Sequence, residues 1–299
     1  MSNQPSRFLI IGGSGIIGRH LFAQAGPERA VATWHSREQP GMVHFDPATT
    51  PLTPFIQEHG PFSHALILHG LTRLDACARD KIRSHEINVV GIQKLIEGLL
   101  SLGIKPLFTS TDQVFDGCGS NYNESDVPNP LSTYGRQKVA VEKFLQETGE
   151  DHAIIRLSKV YGTEPHDGML LANWFDALRR EEHQRLAEDE LFSPVLMEDV
   201  TTGLMRLVAD DLSGLFHLCG PMAISRAGMF RRLLAHLREG GIVFPEPKVT
   251  YCRINDFDFL EERPLNISMN PVKWIRATRL MPLDVESACK RFVSLLGDE

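Results

Sequence analysis

Phe8-Leu9-Ile10-Ile11-Gly12-Gly13-Ser14-Gly15-Ile16-Ile17-Gly18 is the stretch whose reading decides the fold. Four apolar residues in a row predict a buried strand. The glycines behind them predict a tight turn, and Arg19-His20-Leu21-Phe22-Ala23 the body of a helix. Strand, glycine turn and helix form the setting in which glycines at this spacing hold a dinucleotide. One glycine makes the turn, one lets backbone N–H groups approach the pyrophosphate, and one lets the helix lie close to the strand. The helix N-terminus brings partial positive charge to the phosphates. Gly12-x-x-Gly15-x-x-Gly18 and Gly13-x-Gly15-x-x-Gly18 overlap here, and neither names a reaction.

The bulk of the chain narrows the classes. Its 299 residues suffice for one large α/β domain, or a larger and a smaller one. A net charge of −7 with no basic block argues against nucleic acid or a membrane surface as the main partner. No run approaches the roughly 20 apolar residues of a membrane span. The apolar stretch near the N-terminus is too short for a signal peptide and already reads as a strand. Five scattered cysteines without a C-x-x-C pair indicate neither a disulfide framework nor a zinc site, and suit a reducing cytoplasm. His85-Glu86 is followed by Val89 rather than a second histidine, so no metal hydrolase is indicated.

Outward from the turn, strands and helices alternate. Ala30–Trp34 reads as the second strand, and its end is the usual place for the residue that reads the adenosine ribose. His35-Ser36-Arg37 stands there, with no acid before Glu38. A hydroxyl and an arginine suit a 2′-phosphate, hence NADP, with NAD as the alternative. A third short strand is expected over Met42–Asp46. Asp46 would accept from the adenine amino group, or serve as a turn residue before Pro47. A short helix is expected around Pro54–His59, and a fourth strand from His64, with His69 and Gly70 at its exit.

A helix is then expected from about Arg79 to Leu102. Ile82, His85, Val89, Ile92, Ile96 and Leu99 would form its apolar stripe, with Asn88 beside it. Pro106–Thr111 reads as the fifth strand. Ligands sit outside the carboxyl ends of strands in open α/β sheets, which places Ser110, Thr111 and Asp112 where chemistry happens. A helix beginning near Ser132 or Thr133 carries Tyr134 and Lys138 on one face. Ala153–Leu157 is the sixth strand.

Past that point the alternation loosens. Helices are expected over Met169–Arg180, Asp199–Ala209, Ser225 to about Arg238, and Val285–Leu296. Strands are expected over Phe192–Met197, Leu215–Leu218 and Lys248–Cys252. Trp174, Phe175, Phe257 and Phe259 read as core. The expected fold class is α/β: a Rossmann doubly wound parallel sheet with a smaller, mixed α/β substrate-binding domain. Residues 1–165 would bind the dinucleotide, with segments of about 190–220 returning to that domain. Residues 166–299 would mostly form the smaller one.

Taken in order, the glycine turn, Asp46, Asn88, Ser110-Thr111 and Tyr134-x-x-x-Lys138 resemble an extended short-chain dehydrogenase/reductase. Within that superfamily, Ser110–Gly117 is similar to the STDYVFDG segment of the dTDP-4-dehydrorhamnose reductase group. Asn129–Lys138 is similar to its proline-to-YGxxK segment, and Ile155–Gly162 to the stretch after its sixth strand. Glu198-Asp199-Val200 and Arg263-Pro264-Leu265-Asn266 resemble further features.

The resemblance implies a reductase of a nucleotide-linked keto sugar. Tyr134 would be the general acid, Lys138 would aid it and bind the nicotinamide ribose, and Asn88 would hold a relay water. Thr111 would bind the substrate oxygen, with Ser110 as the alternative. Gly12, Gly15, Ile16, Ile17, Gly18, Ser36, Arg37, Asp46, His69 and Gly70 would hold the cofactor. Gln113 and Arg263 would lie on the substrate side, and a homodimer is implied as well. Two departures stand out. Gln113 occupies the place of the motif's tyrosine, and Asp75-Ala76-Cys77-Ala78 lacks the acid of Asp-x-Cys-Glu. A sugar-nucleotide epimerase or dehydratase, and a non-catalytic dinucleotide-binding regulatory subunit, are the alternatives.

Overall fold

All four residues of β1 (Phe8–Ile11) are buried, and the strand is hydrogen-bonded on both sides. On one side lies β2 (Ala30–Trp34), on the other β4 (His64–Ile67). Beyond β2 lies β3 (Val43–His44). Beyond β4 come β5 (Lys105–Thr111), β6 (Ala153–Leu157) and the edge strand Gly214–Leu218. All pairs are parallel, giving one seven-stranded sheet. The molecule is thus a doubly wound α/β protein of the Rossmann kind. These are properties of a computed structural model that describes residues 7–297.

Alternation along β1 explains its two faces. Phe8 and Ile10 join Leu21, Val200, Leu204 and Trp274 on one side of the sheet. Leu9 and Ile11 join Phe55, Ile92, Ile96, Val141 and Leu145 on the other. Because β1 is covered on both faces, its sequence is an unbroken apolar run rather than an alternating one. The topological switch lies between β1 and β4, which opens a crevice at their carboxyl ends. A third cluster, with Tyr161, Leu171, Trp174, Phe230 and Phe292, forms the smaller lobe. Its helices are Leu170–Arg179, Arg226–Glu239 and Val285–Gly297.

Some expected elements differ. The single helix over Arg79–Leu102 is four pieces: Leu74–Arg79, Lys81–His85, a π-helical turn Glu86–Val90, and Gly91–Ser101. Asp80 leaves helical geometry (φ −128°, ψ 80°), and its carboxylate caps the next piece by accepting from Arg83 N. The break and the wide turn rotate the chain out of step with a straight helix. Ile82 is therefore 82% exposed and His85 is exposed as well, and the buried positions in 81–90 are Ser84, Asn88 and, as expected, Val89. The strand expected over Phe192–Met197 is two short ones, Leu191–Phe192 and Val195–Leu196, with different partners. Pro194 between them has no N–H to continue a ladder. The third strand is confined to Val43–His44. The strand Gln184–Ala187 and the helix Val272–Thr278 were not anticipated. Among the described residues no helix is long and apolar enough to cross a membrane.

Helix Ile16–Ala25 meets the turn at Gly18, where a Cβ would lie 2.6 Å from Gly12 O, Gly13 Cα and Gly13 O. Backbone cannot give way as a flexible side chain can. Gly18→Ala should therefore cost about 1–3 kcal/mol, as overpacked sites do, read as a lower midpoint in urea unfolding. An unchanged midpoint would show that the helix can lift away from the turn without penalty.

Candidate active site

The crevice at the carboxyl ends of the strands is the mouth of a cleft of about 1080 Å³. Its floor is the glycine turn. Gly12 has φ +89°, a region suited to glycine, and a Cβ there would lie 2.8 Å from His69 N. Gly15 is the N-cap of the first helix and provides no side-chain cap. Gly15 and Ile16 are exposed where the helix starts. Backbone N–H groups and the positive end of the helix dipole thus meet the cleft without a side chain in the way. This cradle fits a pyrophosphate.

The opposite wall is β5 and the helix Thr133–Thr148. Ser132 starts that helix by accepting from Gly135 N at 3.0 Å, an N-cap bond. Gly135 permits close seating, since a Cβ there would lie 2.2 Å from the Gln113 carbonyl oxygen. Tyr134 and Lys138 are buried one turn apart, at 8% and 6% exposure. Lys138 Nζ donates to Thr109 O at 2.7 Å and lies 4.5 Å from the Phe108 ring centroid and 5.7 Å from that of Tyr134. Thr111 caps the short turn after β5 by accepting from Gln113 N, and its hydroxyl donates to Asp112 at 3.2 Å.

The electrostatics are those of a dry site. Burial, and then the charge of Asp112, raise the Tyr134 phenol above its ordinary value, while a hydrogen bond with Thr111 pulls the other way. Burial brings Lys138 down to about 8, with Glu142 and Cys77 opposing it. Burial pushes Asp112 up to about 6, although Ser158 Oγ donates to it at 2.9 Å.

Of the residues proposed from sequence, Gly12, Gly15, Ile16, Ile17, Gly18, Gly70, Ser110, Thr111, Gln113, Tyr134, Lys138 and Arg263 all line this one cleft. Ser36, Arg37, Asp46, His69 and Asn88 are not among its lining residues. Ser36 and Arg37 are exposed past β2. Asp46 accepts from Ala48 N and Thr49 Oγ1, as a turn residue does. Its carboxyl is held below the usual range, first by the Ala48 bond. His69 packs edge-on to His35 at 6.3 Å.

Asn88 is buried, and both ends of its amide are taken. It accepts from Leu71 N (2.7 Å) and donates to Leu71 O (2.9 Å) and Gln137 Oε1 (2.8 Å). It thereby ties the π-turn to the loop after β4. The Ser110 hydroxyl donates to Glu142.

Other residues were less legible. Asp75, noted in sequence only for its altered motif, is the ion-pair partner of Arg263. Trp174 and Phe175 are in the core, but Phe257 and Phe259 are not. They stack on each other at the cleft, Arg185 over one and Arg263 over the other. Glu142 continues the four-residue spacing of Tyr134 and Lys138, a signal that was available in the sequence. Among the described residues no group of three or more His, Cys, Asp or Glu side chains is placed to hold a metal ion.

Residues 6–297 match the family described as the RmlD substrate binding domain. The chain belongs to that family. It is 27% identical over 305 residues to the dTDP-4-dehydrorhamnose reductase of Sinorhizobium fredii, covering 96% of each chain. It is also 26% identical over 255 residues to methionine adenosyltransferase 2 subunit beta of Bos taurus, covering 79% of this chain and 76% of that one. Among solved structures it resembles the dTDP-4-dehydrorhamnose reductase of Bacillus anthracis in complex with NADP. That match has a TM-score of 0.80 and 21% identity, over 96% of this chain and 98% of the other. This structural likeness bears on the fold.

Asp112 gives a pH test of the site. Its folded-state pKa lies above the unfolded value, so the folded protein binds the extra proton between about pH 4 and 6. That stability is present below about pH 4 and lost as pH rises through about 6. Asp112→Asn should stabilise the protein at pH 7 by about 1–3 kcal/mol and flatten the loss between pH 4 and 6, measured by denaturant unfolding across that range. A variant with wild-type pH dependence would place the titration elsewhere.

Proposed function

We propose that the protein is an NADP(H)-dependent reductase of a nucleotide-linked keto sugar, with NAD as the alternative cofactor. The observation that carries this reading is that Thr111, Tyr134 and Lys138 line the same cleft as the glycine turn. Family membership and similarity to dTDP-4-dehydrorhamnose reductases support it. In this reading residues 1–165, with segments of about 190–220, hold the dinucleotide, and residues 166–299 mostly hold the substrate.

Bound NADPH would supply the hydride. The chain's own task is the proton and the orientation. Tyr134, protonated because it is buried, delivers its proton to the carbonyl oxygen, and Thr111 hydrogen-bonds that oxygen. The Lys138 ammonium would favour the phenolate left behind and would hold the nicotinamide ribose. Gly12, Gly15, Ile16, Ile17 and Gly18 would cradle the pyrophosphate, and Gly70 would close over it. Arg37, exposed and without a partner among the described residues, is free to meet a 2′-phosphate, with Ser36 beside it.

The cleft also suits an anionic substrate. Arg73, Arg79, Arg185, Arg226 and Arg263 line it in a chain of net charge −7. Arg73 and Arg79 have no side-chain partner among the described residues. A diphosphate would be drawn to such a field.

Similarity to a subunit of methionine adenosyltransferase favours a second reading, a dinucleotide-binding subunit that regulates another enzyme. The two separate cleanly. NADPH oxidation dependent on dTDP-4-dehydrorhamnose or another nucleotide-linked keto sugar supports the first. Cofactor binding with no turnover across that panel, together with altered kinetics of a co-purifying enzyme, supports the second.

For the reductase, Tyr134→Phe should lower kcat by about 10²–10⁴-fold, the usual worth of a positioned acid, while NADPH binding persists. Undiminished turnover would remove Tyr134 from the mechanism. Arg37→Ala should weaken NADPH about tenfold or more and leave NADH nearly unaffected, as isothermal titration would show. An unchanged NADPH/NADH ratio would rule out Arg37 as the reader of the phosphate.

A further inference from the structure

The first backbone N–H groups of a helix have no partner within it. In helix Thr133–Thr148 the neighbouring Ser132 takes one of them, Gly135 N. Another is taken from far along the chain. Thr133 N donates to Glu261 Oε2 at 2.7 Å, across 128 positions. The Thr133 hydroxyl donates to Glu261 Oε1 at 2.6 Å, and Arg136 Nη2 donates to the same oxygen at 3.0 Å. Both carboxylate oxygens are thus engaged, and the Glu261 side chain is only 12% exposed. A negative charge at this end of a helix is favoured by its dipole as well. The residue after Thr133 is Tyr134.

Glu261 belongs to a strap, residues 253–264, whose two ends are held in the smaller lobe. At one end the strand Val249–Cys252 pairs with Gln184–Ala187, and at the other Leu191 N donates to Leu265 O. Between these ends Ile254, Phe257, Phe259 and Arg263 line the cleft. Arg185 grips the strap from the smaller lobe. Its Nη2 donates to Asp256 O at 2.8 Å, and its guanidinium lies over Phe257 at 4.8 Å. Glu261 and Arg263 reach the dinucleotide side, Glu261 at the Tyr134 helix and Arg263 at Asp75 of helix Leu74–Arg79.

We propose that Glu261 is a positioning residue for Tyr134: it ties the first turn of the Tyr134 helix to the strap, so that the seating of the strap sets the seating of that turn. The proposal rests on the role given above to Tyr134. A local residue suffices to cap a helix, as Ser132 shows. Glu261 does what a local cap does not, because it joins the turn to a segment anchored in the other lobe. A ligand that presses on Phe257, Phe259 or Arg263 bears on the same strap that carries Glu261. Closure of the outer cleft and placement of the acid are then one event, a form of induced fit.

Hydrogen exchange read by mass spectrometry tests the tie without substrate or cofactor, in peptides covering 131–137 and 253–265. Arg185→Ala loosens the strap from the smaller-lobe side. It should speed exchange in 253–265 and, through Glu261, in 131–137 by about 3–30-fold, the worth of a lost end cap. In Glu261→Ala the 131–137 peptides should already exchange that fast, and adding Arg185→Ala should change them no further. Glu261→Gln keeps an acceptor for Thr133 N and should restore most of the protection. Should Arg185→Ala not loosen the strap, Arg185→Ala/Phe257→Ala takes its place. Faster exchange confined to 253–265, or an equal rise in 131–137 with and without Glu261, overturns the proposal.

Turnover adds a readout that a mere anchor would not move. Glu261→Ala should lower kcat about tenfold or more, as misplacement of a reacting group does, with the Kd for NADPH unchanged, and Glu261→Gln should recover most of it. A wild-type kcat in Glu261→Ala removes Glu261 from the placement of Tyr134. A wild-type protein that turns over no keto sugar refutes the reductase reading instead, and the exchange rates still decide whether strap and helix are tied.

Discussion

The close seating of helix Thr133–Thr148 on β5 is the constraint on which the site depends. Three contacts hold it there. Gly135 lies against the Gln113 carbonyl with no room for a Cβ. Lys138 reaches through to Thr109 O. Glu142 takes the Ser110 hydroxyl and the Arg156 guanidinium. Each contact needs a particular residue type: no side chain, a long cation, a carboxylate. Together they set the height of Tyr134 over the strand end.

Burying charge at this seam is costly, and the fold offsets the cost locally. Arg156 is fully paired and lies over the Phe115 ring at 5.2 Å. Lys138 lies over Phe108. Dry surroundings raise the phenol of Tyr134 and lower the ammonium of Lys138, so burial favours the neutral form of each. At the far side of the cleft the demands are different. There the chain supplies bare backbone at Gly12, Gly15 and Gly18, a setting of N–H groups and a helix end that suits phosphates.

The outer cleft is where this chain departs most from the motifs it resembles. Asp75, without the acid expected at Ala78, is used as a partner for Arg263. Arg263 in turn lies over Phe259. Gln113 lines the cleft where a tyrosine stands in the related motif. Its side-chain oxygen is buried without a partner. The inner site and the outer site are thus built on different principles, one on packed contacts between regular elements and the other on loop side chains over aromatic rings.

The sequence alone determined the sheet and its order of elements, since runs such as Phe8–Ile11 and His64–Ile67 are mostly apolar where the strand is buried on both faces. It also determined the glycine turn and the Tyr134/Lys138 pair, because three- and four-residue spacings translate directly into one helix face. Tertiary structure alone decided the rest. The buried side of 74–101 depends on a break at Asp80 and a π-turn, which a straight-helix periodicity cannot register. Asn88 is occupied by Leu71 and Gln137, the latter 49 positions away in the chain. Phe257 and Phe259 read as core by composition but stack at the cleft. Glu142 had the right spacing to be seen, yet its meaning came from Ser110 and Arg156 on two other elements. A contact between distant segments is absent from any local pattern, and it exists only once the sheet has brought them to the same edge.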